Sequence, residues 1–324
     1  MPIFYLVLKQ MVVMFLFMAV GFVLRKKKIL PEGTDKVISK LELFVFLPAM
    51  NFYSQINNCT LETFKDNLPF IIAGAVIVVA SIVLAYPVSN LLIKRRKGES
   101  SDVSYKRNVY RYGLAFANFG FIGNFLVREI WGEMGLFTYT LFTFFLSVGC
   151  YAWGLAILVP NESSEKQTLG TVMKRISTPP LIALVLGAVL GLFGAAEYIP
   201  DFIQNALSSA SDCMGPSAMI LAGFVVGGYN FKSIVLDKKI YLLSVIRLIL
   251  IPAVFLSALK LLNLAYLVPY TLVALAAPLG LNTVVFPAAY GKDTKTGASM
   301  ALVSTIISLL TIPLNYYVFC VLWV

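Results

Sequence analysis

The chain has 324 residues, of which 59% are hydrophobic and only 13% charged, with a mean hydropathy of +0.84. Soluble domains carry about 25% charged residues, so this composition excludes an ordinary soluble globule and indicates an integral membrane protein with little room for a soluble domain. The net charge of +10 calls for no nucleic-acid partner, because basic residues gather in the short loops facing the cytoplasm.

A helix needs roughly 20 apolar residues to cross a bilayer. Ten segments are candidates: 4–24, 38–57, 68–92, 112–130, 135–159, 180–198, 206–229, 240–262, 267–290 and 297–322. The first meets "RKKK" only after its apolar run, so it reads as a retained span, not a cleaved signal peptide. The second holds "FLPAMNF", with Pro48 and Asn51, and the third holds Pro87. The fourth is interrupted at "AFANFGF" and continues through Gly123 and Asn124. The fifth, with "TYTLFTFFLS", puts hydroxyls at helical spacing, which suits interhelical packing or the lining of a pathway. The seventh carries Asp212, Pro216 and "GFVVGG", and the last reads as close helix packing. The eighth carries Arg247 and Pro252, the ninth "APLGLNTVVFP", and the tenth more hydroxyls in "STIISLLTIPLN".

The loops after segments 1, 3, 5, 7 and 9 hold 20 of the 26 lysines and arginines, from Arg25 to Lys295. The expected orientation puts these loops in the cytoplasm and both termini outside. The linker "NESSEKQTLGTVMKRISTPP" separates two halves of five segments, 1–160 and 180–324, with 161–179 between them. Five is odd, so a duplicated half must enter the membrane inverted. "AFANFGF" lies over "LAAPLGL", matching Asn118 to Pro278 and Gly120 to Gly280. Pro48 and Pro216, and likewise Pro87 and Pro252, recur at the same ordinal positions in the two halves.

Two prolines, a glycine and an asparagine within "APLGLNTVVFP" break a helix where no water repairs it. Each unpaired backbone group in lipid costs several kcal/mol. Such breaks persist only inside protein or beside a water-filled cavity, where half-helix N-termini present free N–H groups and favour anions. Asn118, Asn124 and Asn282 supply amides that donate and accept without a permanent charge. Gly120, Gly123 and Gly280 allow close backbone approach, and Pro278 marks the second break. These seven residues are the expected substrate site. Asp212, Arg247, Asn51, Pro48 and Pro216 are candidates for coupling or gating. Asp212 suits proton or cation coupling or an outer vestibule, and no second acid stands near it in sequence. Arg247, about 10 Å along its segment at 1.5 Å per residue, suits countering a substrate anion or pairing with an acid. Lys9, Lys40 and Glu42 are expected to snorkel.

The chain has no histidine, which excludes Ser-His-Asp, Cys-His and HExxH chemistry. Cys59, Cys150, Cys213 and Cys320 have neither CxxC nor metal-ligand spacing, so no disulfide framework, metal or other cofactor is expected.

"FLPAMNF", "FANFGFIGN", "VIRLILIP" and "APLGLNTVVFPAAYGKDTKTGASMALVSTIISLLTIP" resemble the auxin efflux carrier family, which includes bacterial malonate- and malate-type permeases and plant auxin exporters. The resemblance implies an all-α protein of ten helices in two inverted five-helix repeats, akin to sodium–proton antiporters and bile-acid symporters. Helices 1, 2, 6 and 7 would form a scaffold, and 3–5 and 8–10 a transport domain in which broken helices 4 and 9 cross at the substrate. It implies Asn118 and Gly120 on one crossover and Pro278, Gly280 and Asn282 on the other. Position 118 is asparagine where plant members have proline, so the first break is expected to be milder. No long central loop is present. The expected function is alternating-access transport of a small organic anion, a mono- or dicarboxylate, across the plasma membrane, uncoupled or coupled to H+ or Na+, with a homodimer implied by the resemblance. A sensor or channel on the same fold is the alternative, and an intramembrane enzyme a more distant one.

Overall fold

The computed structural model describes residues 3–94, 98–159, 169–229, 237–289 and 292–323. Among these the secondary structure is helical, with one isolated backbone bridge and no strand. Five helices are long and apolar enough to cross a membrane: Tyr5–Lys26, Leu61–Leu92, Asp201–Gly227, Lys238–Leu261 and Lys295–Leu322. A pair bent by 46°, Phe119–Phe142 with Phe144–Leu158, makes a sixth. Pro179–Leu192 and Ala265–Ala276 are shorter apolar helices. The protein is therefore a polytopic helical membrane protein.

Helix α1 (Ile3–Lys26) is apolar all round, and its neighbours decide which side is inside. Val7, Met11, Met14 and Met18 are buried in one stripe at three- and four-residue steps, while Leu16, Val20 and Val23 face outward. The next long helix, α2, runs over 34–58 as Thr34–Leu41, a π-turn Glu42–Phe46 and Leu47–Asn58. It is followed by α3 (Leu68–Leu92), α4 (Ser101–Ala115) and α5 (Asn124–Phe142), the last entered through a π-turn at Phe119–Gly123. Gly132, at φ 70°, breaks α5 between the predicted fourth and fifth segments. Then come α6 (144–158), α7 (Pro179–Leu192), α8 (Asp201–Gly227) and α9 (238–261). The chain closes with α10 (Val268–Ala276), α11 (Asn282–Ala289) and α12 (Lys295–Tyr316).

The main lateral contacts are α1 on α8, α7 on the second part of α2, and α3 on α4. In the first pair, glycine sets the distance. A Cβ on Gly223 would stand 1.9 Å from the Met18 carbonyl oxygen, and one on Gly21 would stand 2.0 Å from that of Ile220. Only bare backbones fit there, which is the packing expected of "GFVVGG".

Two prolines explain two π-turns. Pro48 follows the turn Glu42–Phe46, and Pro252 follows Ile246–Leu250. A proline inside a helix leaves the carbonyl four residues back without its donor and crowds it, and a local π-turn accommodates both problems. For Pro252 that carbonyl belongs to Leu248, and it accepts from Asn315 Nδ2 at 2.8 Å. The π-turn before Pro48 also corrects an expectation. Glu42 does not snorkel: it is fully buried against α8, where the Ser217 hydroxyl donates to it, while Lys40 stays exposed.

Candidate functional site

The two broken helices meet. Helix α4 ends at Ala115, and Phe116 is extended at φ −124°, ψ 127°. Helix α10 ends at Ala276, and Ala277 is extended at φ −58°, ψ 150°. Between them Ala117 and Leu279 form an antiparallel bridge, and the Asn118 N–H donates to the Pro278 carbonyl at 2.7 Å. The Leu279 N–H donates to Ser304 Oγ on α12 at 2.9 Å. Two of the N–H groups released by the breaks are thus satisfied, one by the other break and one by a buried hydroxyl, as hydrocarbon surroundings favour.

Gly280 is the close-approach residue of this crossing. A Cβ there would lie 3.2 Å from the Ala117 carbonyl oxygen. At Asn118 the expectation of a milder first break holds in length. Lacking proline, the first half still leaves helical geometry at Phe116, because pairing with the Pro278–Leu279 segment holds it extended. The first break is shorter, at 116–118 against 277–281, but not less complete.

Beside the crossing is a small cavity of about 60 Å³. Asn118, Gly120, Asn124 and Asn282 line it from the crossing, Asn51 from α2, and Pro180 from α7. Asn51 Nδ2 donates to the Pro180 carbonyl at 3.0 Å, while its Oδ1 and that of Asn124 have no partner. No atom stands within 4 Å of where a Gly120 Cβ would project, so that backbone is open to the cavity. Gly123 acts differently: its missing Cβ makes room for the Tyr139 hydroxyl, which donates to the Phe119 carbonyl at 3.2 Å. Pro278 is buried and contributes its carbonyl to the crossing.

A second cavity of about 370 Å³ adjoins the first, and Phe121, Tyr151 and Asn282 line both. Its walls are apolar, with Leu221, Leu281 and Val285 among them, and Asp35, Lys36 and Lys40 line it at the basic-loop end of α2. Asn282 and Tyr151 are therefore the polar groups common to a small chamber and a wider vestibule.

Other residues of the site carried weaker sequence signals. Thr140, Thr143, Ser147 and Cys150 line the small cavity. Three of these belong to the hydroxyl-rich run of the fifth segment, where both packing and pathway lining were open, and here they line. Cys150 Sγ lies 2.9 Å from the Tyr112 hydroxyl and accepts from Asn282 Nδ2 at 3.4 Å. Nothing in the local sequence around Cys150 marks that role, since its partners lie 38 and 132 positions away.

Of the coupling and gating candidates, Asn51 lines the chamber beside the crossing, and the other four lie outside its lining. Asp212 pairs with Arg128 Nη2 at 2.7 Å, Arg128 Nε pairs with Glu133 at 2.5 Å, and the Asp212 side chain is 63% exposed. A second acid, Glu133, therefore does stand near Asp212, because Gly132 turns the chain back at that end of α5. Arg247 is completely buried in the π-turn of α9, its Nε and Nη1 without partners. Pro48 lines an apolar groove with Phe52 and Ile182, outside the polar cavity, and Pro216 lies within α8 one residue before Ser217. Among the described residues no cluster of metal-ligating side chains is present.

Paired broken helices around a polar chamber, inside an apolar helical bundle, are the architecture of a membrane transporter. The sequence comparison agrees: the family model described as membrane transport protein matches residues 6–316, nearly the whole chain. The chain belongs to this family, the auxin efflux carrier family. No curated protein matches it.

Proposed function

We propose that the protein is a secondary transporter that moves a small organic anion, a mono- or dicarboxylate, by alternating access. One observation carries this reading: the two broken helices are hydrogen-bonded to each other at Asn118 and Pro278, beside a chamber lined by neutral amides. Amides and the N-terminal ends of the helices that begin at the breaks offer N–H donors to a carboxylate. Lys36 and Lys40 on the vestibule wall attract anions toward it.

The crossing also supports ten helices in two inverted repeats. Repeat alignment matches Asn118 to Pro278, and this same pair is joined across the antiparallel bridge. A two-fold axis relating the halves would map that pair onto itself. Asn51 and Pro180 wall the chamber from α2 and α7, while the crossing supplies the opposite wall. That division fits a scaffold of helices 1, 2, 6 and 7 facing a transport domain of helices 3–5 and 8–10. A chamber of about 60 Å³ holds only a few waters, so substrate binding requires the two walls to part. With the basic loops in the cytoplasm of a plasma-membrane protein, the vestibule is the inward opening.

The test is flux and current in proteoliposomes of the purified protein, over a panel of mono- and dicarboxylates, with and without sodium and pH gradients. A saturable flux of one acid class, lost in Asn282→Ala, is the expected result, and its gradient dependence identifies any coupling ion. Flux that rises linearly without saturation would identify a pore. Undiminished transport in both Asn118→Ala and Asn282→Ala would remove the site assignment.

A further inference from the structure

A cavity of about 780 Å³ lies away from the crossing, where the end of α3 meets α4 and the start of α9. Its lining is two-sided. Lys94, Lys106 and Lys239 form one part, and Leu91, Val103 and Leu242 another. Leu91 is 76% exposed and Leu242 51%. Both belong to helices long and apolar enough to cross a membrane, and both lie within a turn of a span end. The lysines therefore stand at headgroup depth and the leucines at the beginning of the hydrocarbon.

The site is held together by internal bonds. Arg107, 3% exposed, donates from Nε to the Ile93 carbonyl at 3.0 Å and grips the Glu99 carboxylate with its other nitrogens. These contacts fix the turn after α3 onto α4. Lys106 pairs with Asp237 at 2.7 Å, tying α4 to the start of α9. Burial raises the Asp237 carboxyl, but the hydrogen bond and charge of Lys106 outweigh it and hold it below its ordinary value. Both acids at the site, Glu99 and Asp237, are thus engaged by their own cations. Lys94 and Lys239 are exposed and form no ion pair among the described residues.

We propose that this cavity binds the headgroup of an anionic phospholipid, with the phosphate between Lys94 and Lys239 and the acyl chains over Leu91 and Leu242. Charge argues against a zwitterionic lipid, whose ammonium would meet two lysines that form no ion pair among the described residues. Leu91 and Leu242 beside the lysines offer acyl chains a contact that a soluble phosphate cannot use. Basic pockets between spans at a membrane surface bind anionic headgroups. The occupant would bridge α3, α4 and α9, joining helices from both halves of the chain.

The test is native mass spectrometry of the purified full-length protein titrated with dioleoylphosphatidylglycerol, dioleoylphosphatidylcholine or inorganic phosphate. The expected result is about 30-fold tighter retention of phosphatidylglycerol than of phosphatidylcholine, roughly fivefold for each of the two lysines. Lys94→Gln/Lys239→Gln should reduce that preference to threefold or less. The charge-matched control Lys27→Gln/Lys174→Gln, at exposed positions outside the cavity, should retain it. All four lysines are exposed, so both proteins should remain monodisperse in gel filtration, and the single variants replace any that does not. Equal retention of the two lipids would overturn the proposal, as would equal losses in the variant and its control. Displacement of phosphatidylglycerol by millimolar phosphate would show a soluble-anion site instead.

Discussion

Two polar regions of this protein solve opposite problems. The crossing is deeply buried and contains no formal charge: amides, hydroxyls, a thiol and backbone groups account for its polarity. The Asp212–Arg128–Glu133 cluster is charged throughout, and its Asp212 is mostly exposed. Burying ions costs several kcal/mol each, whereas hydrogen-bonded amides and backbone groups are tolerated inside. The difference teaches where specificity resides. In the cluster, water reaches Asp212 and screens its pairing with Arg128. In the crossing, the Asn118 N–H and the Leu279 N–H each have a single acceptor, and losing it leaves an orphan.

The contrast is sharpened by substitutions in order of expected effect. Gly280→Val places a branched side chain against the Ala117 carbonyl and should push the breaks apart. We expect loss of measurable transport and about 3 kcal/mol of destabilisation, the upper range for overpacking, measured by flux and thermal unfolding in detergent. Asn118→Ala and Asn282→Ala should lower transport by about 10- to 100-fold, the worth of one or two hydrogen bonds to a charged ligand. The melting temperature should change little, which separates a binding role from a structural one. Ser304→Ala leaves the Leu279 N–H without its acceptor and should cost about 1–3 kcal/mol, with a smaller loss of transport. At the other extreme, Asp212→Asn should change stability by about 1 kcal/mol or less and leave transport within twofold of wild type. A large transport loss in Asp212→Asn would break the comparison and restore Asp212 as a coupling group.

Helix α9 carries the same lesson at one residue. The run "VIRLILIP" announces a proline after a charged residue in an apolar span, and both features are legible without a structure. That Asn315, 67 positions away, accepts the duty of satisfying Leu248 is not legible. Nor is it legible that Arg247 is fully buried, outside the lining of either cavity. Glu42 shows the limit from the other side. Its position near a span end suggested an exposed carboxylate, and one π-turn rotated it against Ser217.

The sequence by itself determined that this chain lives in a bilayer, since so few charges among so many apolar residues permit nothing else. It also determined where the helices break, because proline, glycine and asparagine act on their own backbone within a few residues. Tertiary structure decided what each break is for. Bonds from Asn118 to Pro278, from Leu279 to Ser304 and from Asn282 to Cys150 join residues 160, 25 and 132 positions apart. In hydrocarbon every backbone group must find a partner, but local sequence does not name a partner that another helix supplies.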